Sequence, residues 1–249
     1  MRLWPAAALL LLGCGAAEAP RQPAAPTGYD VLVFTRTEGF RHDSIADGVQ
    51  AMRELGARDG FAVTATEDPG AFTAESLSRY AAVVFLNTTG DVLDPPQQAA
   101  FEGYVRGGGG YVGVHAAADT EYDWPFYGAL VGAYFARHPA VQPATVRVSD
   151  RSHPATAHLP ESWSRVDEWY DFRANPRGTV RVLATLDEST YDGGGMGADH
   201  PHAWCHEFAG GRSFYTGAGH TAAAYAEPDF RAHLLGAIQY AAGRTQSRC

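Results

Sequence analysis

From Tyr29 onward, Tyr29 to Thr35 (YDVLVFT), Ala81 to Leu86 (AAVVFL) and Tyr111 to Val114 are predominantly apolar runs. Short runs without polar alternation read as strands covered on both faces, as in a parallel sheet. Phe61 to Thr66 reads as a further strand. Between the strands the period changes. Ile45, Val49, Met52 and Leu55 make one apolar helical face. Asp43 or Ser44 is its N-cap, Asp47 is the capping-box partner of Ser44, and Gly56 and Gly60 end it. Asp94 followed by Pro95 opens a second helix with Phe101, Tyr104 and Val105 inward. Thr73 to Tyr80 begins with a cap and fits a short helix. The resulting order, β-α-β-β-α-β, predicts an α/β fold: a doubly wound, mostly parallel sheet with helices on both faces.

The pattern changes after Tyr122. Tyr122, Trp124, Phe126, Tyr127, Tyr134 and Phe135 form a dense aromatic patch, which serves either core packing or stacking against a sugar. Val141 to Val148 and Thr179 to Leu186 read as strands. Ala203 to Phe208 and Gly211 to Thr216 read as a hairpin around Gly210-Gly211. Asp192 to Asp199 (DGGGMGAD) is glycine-rich and expected to be mobile. It has no P-loop lysine and does not follow a strand directly, so it is not a phosphate cradle. Pro228 to Ala242 closes the chain as a helix with Phe230, Leu234, Ile238 and Ala241 on one face.

One junction stands out chemically. In Gly107 to Asp119 (GGGGYVGVHAAAD) a short strand ends at His115 and small residues follow. Open α/β sheets bind ligands beyond the carboxyl ends of their strands, and an imidazole there is a base, an acid or a metal ligand. His42 follows the first strand and His220 follows the last, so both belong to the same sheet edge. Asp119 or Glu168, within Asp167-Glu168-Trp169-Tyr170, is placed to orient one of these rings. A divalent metal such as zinc suits such a set. His202 and His206 are four apart, but on a strand with Trp204 between them on the same face, so they lack the helical spacing of a metal motif. His138 and His153 each precede a proline and fit turns. His158, His202 and His233 are assigned to the surface.

Composition narrows the picture. The 249 residues are 45% hydrophobic and 19% charged, enough for one large domain. A formal charge of −9 argues against a nucleic-acid partner. Arg2 followed by the apolar Leu3 to Leu12 is too short to span a bilayer and reads as an export signal. It ends in Leu11-Leu12-Gly13-Cys14, similar to a bacterial lipobox. The expectation is a signal peptide over residues 1–14, a lipidated Cys14 at the cell envelope, a tether over residues 15–28 and a folded domain over residues 29–243. Membrane contact is then through the lipid anchor alone, or, with ordinary signal cleavage, the protein is periplasmic or secreted. Of three cysteines, Cys205 and Cys249 remain. They form no CxxC pair. A bridge between them is disfavoured by the position of Cys249 at a fraying terminus.

Six motifs occur in order: GFRHDSI (Gly39 to Ile45), GGGYVGVHAAADTEYDWP (Gly108 to Pro125), LVGAYFARHP (Leu130 to Pro139), DEWYDF (Asp167 to Phe172), DHPHAWCHE (Asp199 to Glu207) and GRSFYTGAGHT (Gly211 to Thr221). Together they resemble ThuA-like domains, the trehalose-utilisation family, from about Tyr29 to Ala242. The resemblance implies a flavodoxin-like fold related to class I glutamine amidotransferases. Those enzymes carry a nucleophilic cysteine at the strand-end elbow, where this chain has His115, and an imidazole does not replace a thiolate in glutaminase chemistry. Cys205 lies in another motif. The resemblance further implies carbohydrate processing. The expected substrate is a glycoside or 3-keto-glycoside, processed by acid–base chemistry through His115, His42, His220, Glu168 and Asp119. Trp124, Tyr170, His200, Trp204 and His138 are the expected substrate contacts. A lipid-anchored sugar-binding protein without turnover is the alternative.

Overall fold

The computed structural model describes residue 1 and residues 28–249. The expected signal peptide, Cys14 and most of the tether lie outside the described residues. Among those residues, no helix is long and apolar enough to cross a membrane.

The chain runs β1 (Tyr29–Phe34), α1 (Ile45–Asp59), β2 (Phe61–Thr66), α2 (Ala74–Leu77), β3 (Tyr80–Leu86), α3 (Pro95–Arg106) and β4 (Gly110–Val114). It continues through α4 (Pro125–Val131), β5 (Phe135–Arg137), β6 (Gln142–Val148), β7 (Ser162–Asp167) and β8 (Asp171–Phe172). β9 (Arg181–Asp187), β10 (His200–Phe208), β11 (Gly211–Thr216) and α5 (Pro228–Ala241) complete it. Nine strands form one sheet in the order β2-β1-β3-β4-β11-β10-β9-β6-β7, and β5 pairs with β8 separately. The first five of these are mutually parallel. Their order is the flavodoxin one, which reverses direction between β1 and β3. β10, β9, β6 and β7 extend the sheet in antiparallel fashion.

Two apolar clusters cover the sheet. Val31, Val33, Val84, Val112 and Val114 pack with α1 and α5 on one face. Leu32, Phe34, Val83, Phe85 and Tyr111 pack with α2, α3 and α4 on the other. Alternate residues of the same strands thus serve opposite cores, which is why these runs show no polar alternation.

The start of α1 differs from expectation. Ser44 is in the helical region and its side chain caps nothing. Its Oγ instead accepts from Asn87 Nδ2 at 3.1 Å, in a buried network with the Gly219 carbonyl. Asp94, by contrast, forms a full capping box with Gln97. The β10–β11 turn is Ala209-Gly210, with φ of 53° and 104°, the positive pair that a two-residue hairpin requires. β10 starts at His200 rather than Ala203 because its register shifts around Pro201 to Trp204, which accommodates the missing proline N–H.

Two further expectations are corrected. Cys205 and Cys249 are joined in a disulfide. The terminal segment folds back on the sheet, where Arg181 Nη1 donates to the Arg248 carbonyl and Arg244 lies over Tyr29. The glycine-rich stretch is tied down: Met196 N donates to Glu188 and Gly195 N to Asp171.

Candidate functional site

β4 delivers His115 to the carboxyl edge, and the residue turns there at φ 49°. That left-handed conformation is uncommon outside glycine. Two bonds hold it: Tyr215 Oη donates to the His115 carbonyl at 2.8 Å, and His115 Nδ1 lies 2.8 Å from the Gly217 carbonyl. A carbonyl only accepts, so Nδ1 carries the proton. In the neutral ring, Nε2 is left with a bare lone pair.

That lone pair faces other acceptors. His115 Nε2 is 3.3 Å from Glu168 Oε2 and 3.3 Å from His220 Nδ1. His220 Nδ1 is 3.2 Å from the same Glu168 oxygen. His42, delivered by the loop after β1, completes the group, with its ring 5.0 Å from those of both His115 and His220. His42 is buried and its Nδ1 has no partner. One donor atom from each of His42, His115, Glu168 and His220 falls within 4.8 Å of all the others. Among the described residues, these four form one set able to hold a metal ion.

The charges are mutually arranged. Burial, reinforced by His115 and His220, pulls His42 down to about 3. Burial would raise the Glu168 carboxyl, but the His115 and His220 rings beside it outweigh burial and hold Glu168 well below the usual carboxylate range. Burial lowers His220, yet its bond to Glu168 and that residue's charge leave it above its ordinary value. Burial also raises Asp119, against the bond from Tyr122 Oη at 2.5 Å.

A buried ion pair sets the loop that carries His220. Asp167 Oδ2 accepts from Gly219 N at 2.9 Å and Oδ1 from His220 N at 3.0 Å. Arg165, two residues earlier on β7, pairs with Asp167 at 3.0 Å. Gly219 sits at φ 114°, and a Cβ there would meet the Tyr225 hydroxyl and Val114. This position accepts only glycine.

The cluster opens into a cleft of about 290 Å³ lined by Phe40, His42, Asp119, Phe135, His138, Glu168, Tyr170 and His220. His138 Nδ1 lies 2.9 Å from Glu168 Oε1, and the Tyr170 ring sits 4.1 Å from that of His115. His42, His115, His220, Glu168, Asp119, His138 and Tyr170 are therefore brought together, with His115 fully buried beneath the residues that line the cleft.

Three expected contacts lie elsewhere. Trp204 is fully buried and donates its indole N–H to the Val131 carbonyl. Trp124 packs in the α3–α4 core against Phe126 and Tyr127. His200 is behind the cleft, with Nε2 on the Tyr170 carbonyl and Nδ1 2.8 Å from Glu188, so it positions Tyr170. His202 and His233, assigned to the surface, are buried, whereas His158 is exposed. The shifted register turns His202 toward Trp169, while Trp204 and His206 reach carbonyls of α4.

Residue chemistry alone did not single out Phe40, and it left Phe135 within an aromatic patch that fitted either core packing or a sugar surface. Phe40 is 66% exposed at the cleft mouth and packs edge-on to His42. Its signal was the apolar side chain inside the otherwise polar GFRHDS loop. Of the larger hollows, two, of about 690 and 680 Å³, lie at the amino ends of the strands, and no histidine lines either one.

A flavodoxin-order parallel core with a left-handed residue at the strand-end elbow defines an α/β protein whose fold resembles the glutamine amidotransferase-like class, here with an imidazole at the elbow. More particularly, the chain belongs to the ThuA family, described as trehalose utilisation, which residues 30–241 match. A ThuA-like protein from Bacteroides uniformis is similar at 26% identity and a TM-score of 0.76, over 93% of this chain and 98% of that one. A ThuA-like protein from Parabacteroides merdae shares the fold at 23% identity and a TM-score of 0.71, over 90% and 93%. Part of a β-galactosidase from Bacillus circulans sp. alkalophilus also shares it, at 16% identity and a TM-score of 0.57, over 86% of this chain and 31% of that one. No curated protein matches the chain.

Proposed function

We propose that this protein processes a glycoside already oxidised at C3 of the sugar, releasing the group attached at C1. The observation that carries the reading is the bare His115 Nε2, facing Glu168 and His220 at the base of a cleft with aromatic walls. A C3 ketone acidifies the C2–H bond. His115 Nε2 takes that proton, the C1–C2 double bond forms, and the C1–O bond breaks. His220, held toward its protonated form by Glu168, gives a proton to the departing oxygen. Glu168 serves as the ionised partner of both rings rather than as the acid, since its carboxyl stays deprotonated. Phe40, Phe135 and Tyr170 offer faces to the C–H surface of a sugar, and Asp119 and His138 meet its hydroxyls. The cleft is at the small end of ligand sites, which run from about 300 to 1,000 Å³, so it fits one sugar ring rather than an extended chain.

The test is a panel of disaccharides and their 3-keto derivatives with wild type, His115→Ala and His115→Asn. Loss of a general base costs roughly 10²–10⁴-fold, and both variants should lose about that much with the fold intact. Binding without turnover by wild type would establish the binding-protein alternative. Turnover unaffected by both substitutions would move the chemistry elsewhere.

We also propose that the protein works outside the cytoplasm, anchored through lipidated Cys14. The Cys205–Cys249 disulfide supports export, because such bridges persist in oxidising compartments. Mass spectrometry of the mature N-terminus tests this: a diacylated or triacylated Cys14 is expected, and an unmodified terminus at another residue would refute it.

A further inference from the structure

We propose that His42, His115, His220 and Glu168 bind one divalent first-row transition-metal ion at the floor of the cleft. Four donors belonging to four separate segments of chain fall within 4.8 Å of one another. They come from the loop after β1, the end of β4, the end of β7 and the loop after β11. A set of three imidazoles and one carboxylate matches the ligand types of zinc and its neighbours.

The protonation pattern points the same way. His115 spends its one neutral-state proton on the Gly217 carbonyl, so Nε2 has only a lone pair to offer. Glu168 Oε2, 3.3 Å away, is also an acceptor. The His220 Nδ1 between them can bond only one partner with one proton. His42, 96% buried, leaves Nδ1 without any partner. Buried polar atoms normally find one. A single cation satisfies one donor atom of each of the four side chains at once, whereas protons do so only by charging neighbouring rings.

The surroundings have the supports that metal ligands use. His115 is oriented by a backbone carbonyl through its far nitrogen, a common way of fixing a ligating ring. Glu168 is held through its other oxygen by His138, and the His220 backbone is pinned by Asp167. Another grouping, Asp171, Glu188 and His200, is already bonded to Arg137, Met196 N and the Tyr170 carbonyl. It leaves no comparable set of free donors.

The cation site rests on geometry alone, while its use in turnover rests on the keto-glycoside reading above. Were the ion bound, His115 and His220 would be ligands in place of the base and acid roles given them above, the ion would supply a Lewis acid for the negative charge developing on the C3 oxygen, and Asp119 and His138 would carry the protons.

The test is equilibrium dialysis of chelator-stripped full-length protein against Zn²⁺, with elemental analysis and a Co²⁺ visible spectrum as a second readout. Wild type should bind one Zn²⁺ per chain. His115→Asn, His42→Asn and the near-isosteric Glu168→Gln should each weaken binding by more than the roughly 10–100-fold that loss of a supporting partner costs. His158→Ala, an exposed histidine on another surface, should leave it unchanged. Circular dichroism confirms that each variant is folded. Absence of stoichiometric Zn²⁺ binding, or binding that persists in the three cluster variants, would overturn the proposal. Neither result depends on whether any sugar is turned over.

Discussion

The molecule holds two populations of buried histidine, and they behave differently. His153, His202, His206 and His233 lie in or under the antiparallel half of the sheet. Burial lowers all four, to about 4 for His153 and about 3 for His233. Three of them have plain structural roles. His206 reaches the Leu130 carbonyl, His233 lies 2.8 Å from the Ala155 carbonyl, and His153 stacks on Phe214. At the carboxyl edge, burial acts on His42 and His220 too, but there the rings face one another and His115 across Glu168. A depressed histidine is therefore no mark of a site. What distinguishes the site is convergence of lone pairs on a common carboxylate beside an open cleft.

The sharpest way to break this contrast is Glu168→Gln. It keeps the shape and removes the shared charge. Turnover should fall by about 10²–10⁴-fold in a steady-state assay, with far-UV circular dichroism unchanged. A variant with normal turnover would remove Glu168 from the centre of the account.

Asp167→Ala should produce the next largest effect, on stability. It strands Arg165 in the core and releases the loop holding His220. Breaking a buried pair costs roughly 3–5 kcal/mol. The lower end, about 3 kcal/mol, is expected because Glu227 still pairs with Arg165. Urea denaturation measures it. A loss below about 1 kcal/mol would show that Asp167 is not the anchor.

The core histidines supply the pH signature. His233 is pulled down to about 3 in the folded protein against 6.5 ordinarily, because burial disfavours its charge and outweighs the bond to the Ala155 carbonyl; His158, Arg165 and His153 are the ionisable groups that face it. Its folded value is depressed, so the unfolded chain takes the proton first. The stability tied to neutral His233 is full above pH 6.5 and is lost as pH falls from 6.5 toward 3. Each such group adds a slope of at most about 1.4 kcal/mol per pH unit. His233→Gln should flatten the curve between about pH 6 and 4 by roughly one proton's worth, without changing the relative turnover of sugars. An unchanged slope would mean that His233 is not held neutral.

The smallest effect belongs to the cleft mouth. Phe40→Ala removes an exposed ring that covers part of a bound sugar. Partial burial of a phenyl ring is worth about 1 kcal/mol, or roughly fivefold in KM, with kcat nearly constant. A change confined to kcat would place Phe40 in the chemistry instead.

The parallel half was legible in the sequence because its strands are apolar on both faces and its helices carry clear stripes. The antiparallel half was less so. β7 alternates in burial, but its inward residues are Trp163, Arg165 and Asp167, and a buried ion pair does not look like a strand interior. β10 contains Pro201, which masks its first turn of pairing. The edge histidines His42, His115 and His220 could be inferred from strand ends alone. Trp124 and Trp204 could not be separated from cleft aromatics, since a tryptophan in the core and one at a sugar site look alike in sequence. His202 and His233 looked like surface residues for the same reason: nothing in the chain shows which way a register shift or a helix turns them. The role of Asp167 was hidden behind its neighbour Glu168, because its partners are backbone N–H groups 52 and 53 residues away.

The most direct measurement is a crystal structure of Glu168→Gln with a 3-keto-glycoside bound. The account predicts the sugar ring in the cleft between Phe40 and Tyr170, with C2 and its neighbouring oxygens at about 3–3.5 Å, the distance of a reactive arrangement, from the groups around His115. A sugar seated in either of the larger hollows at the amino ends of the strands, with the histidine cleft empty, would contradict it.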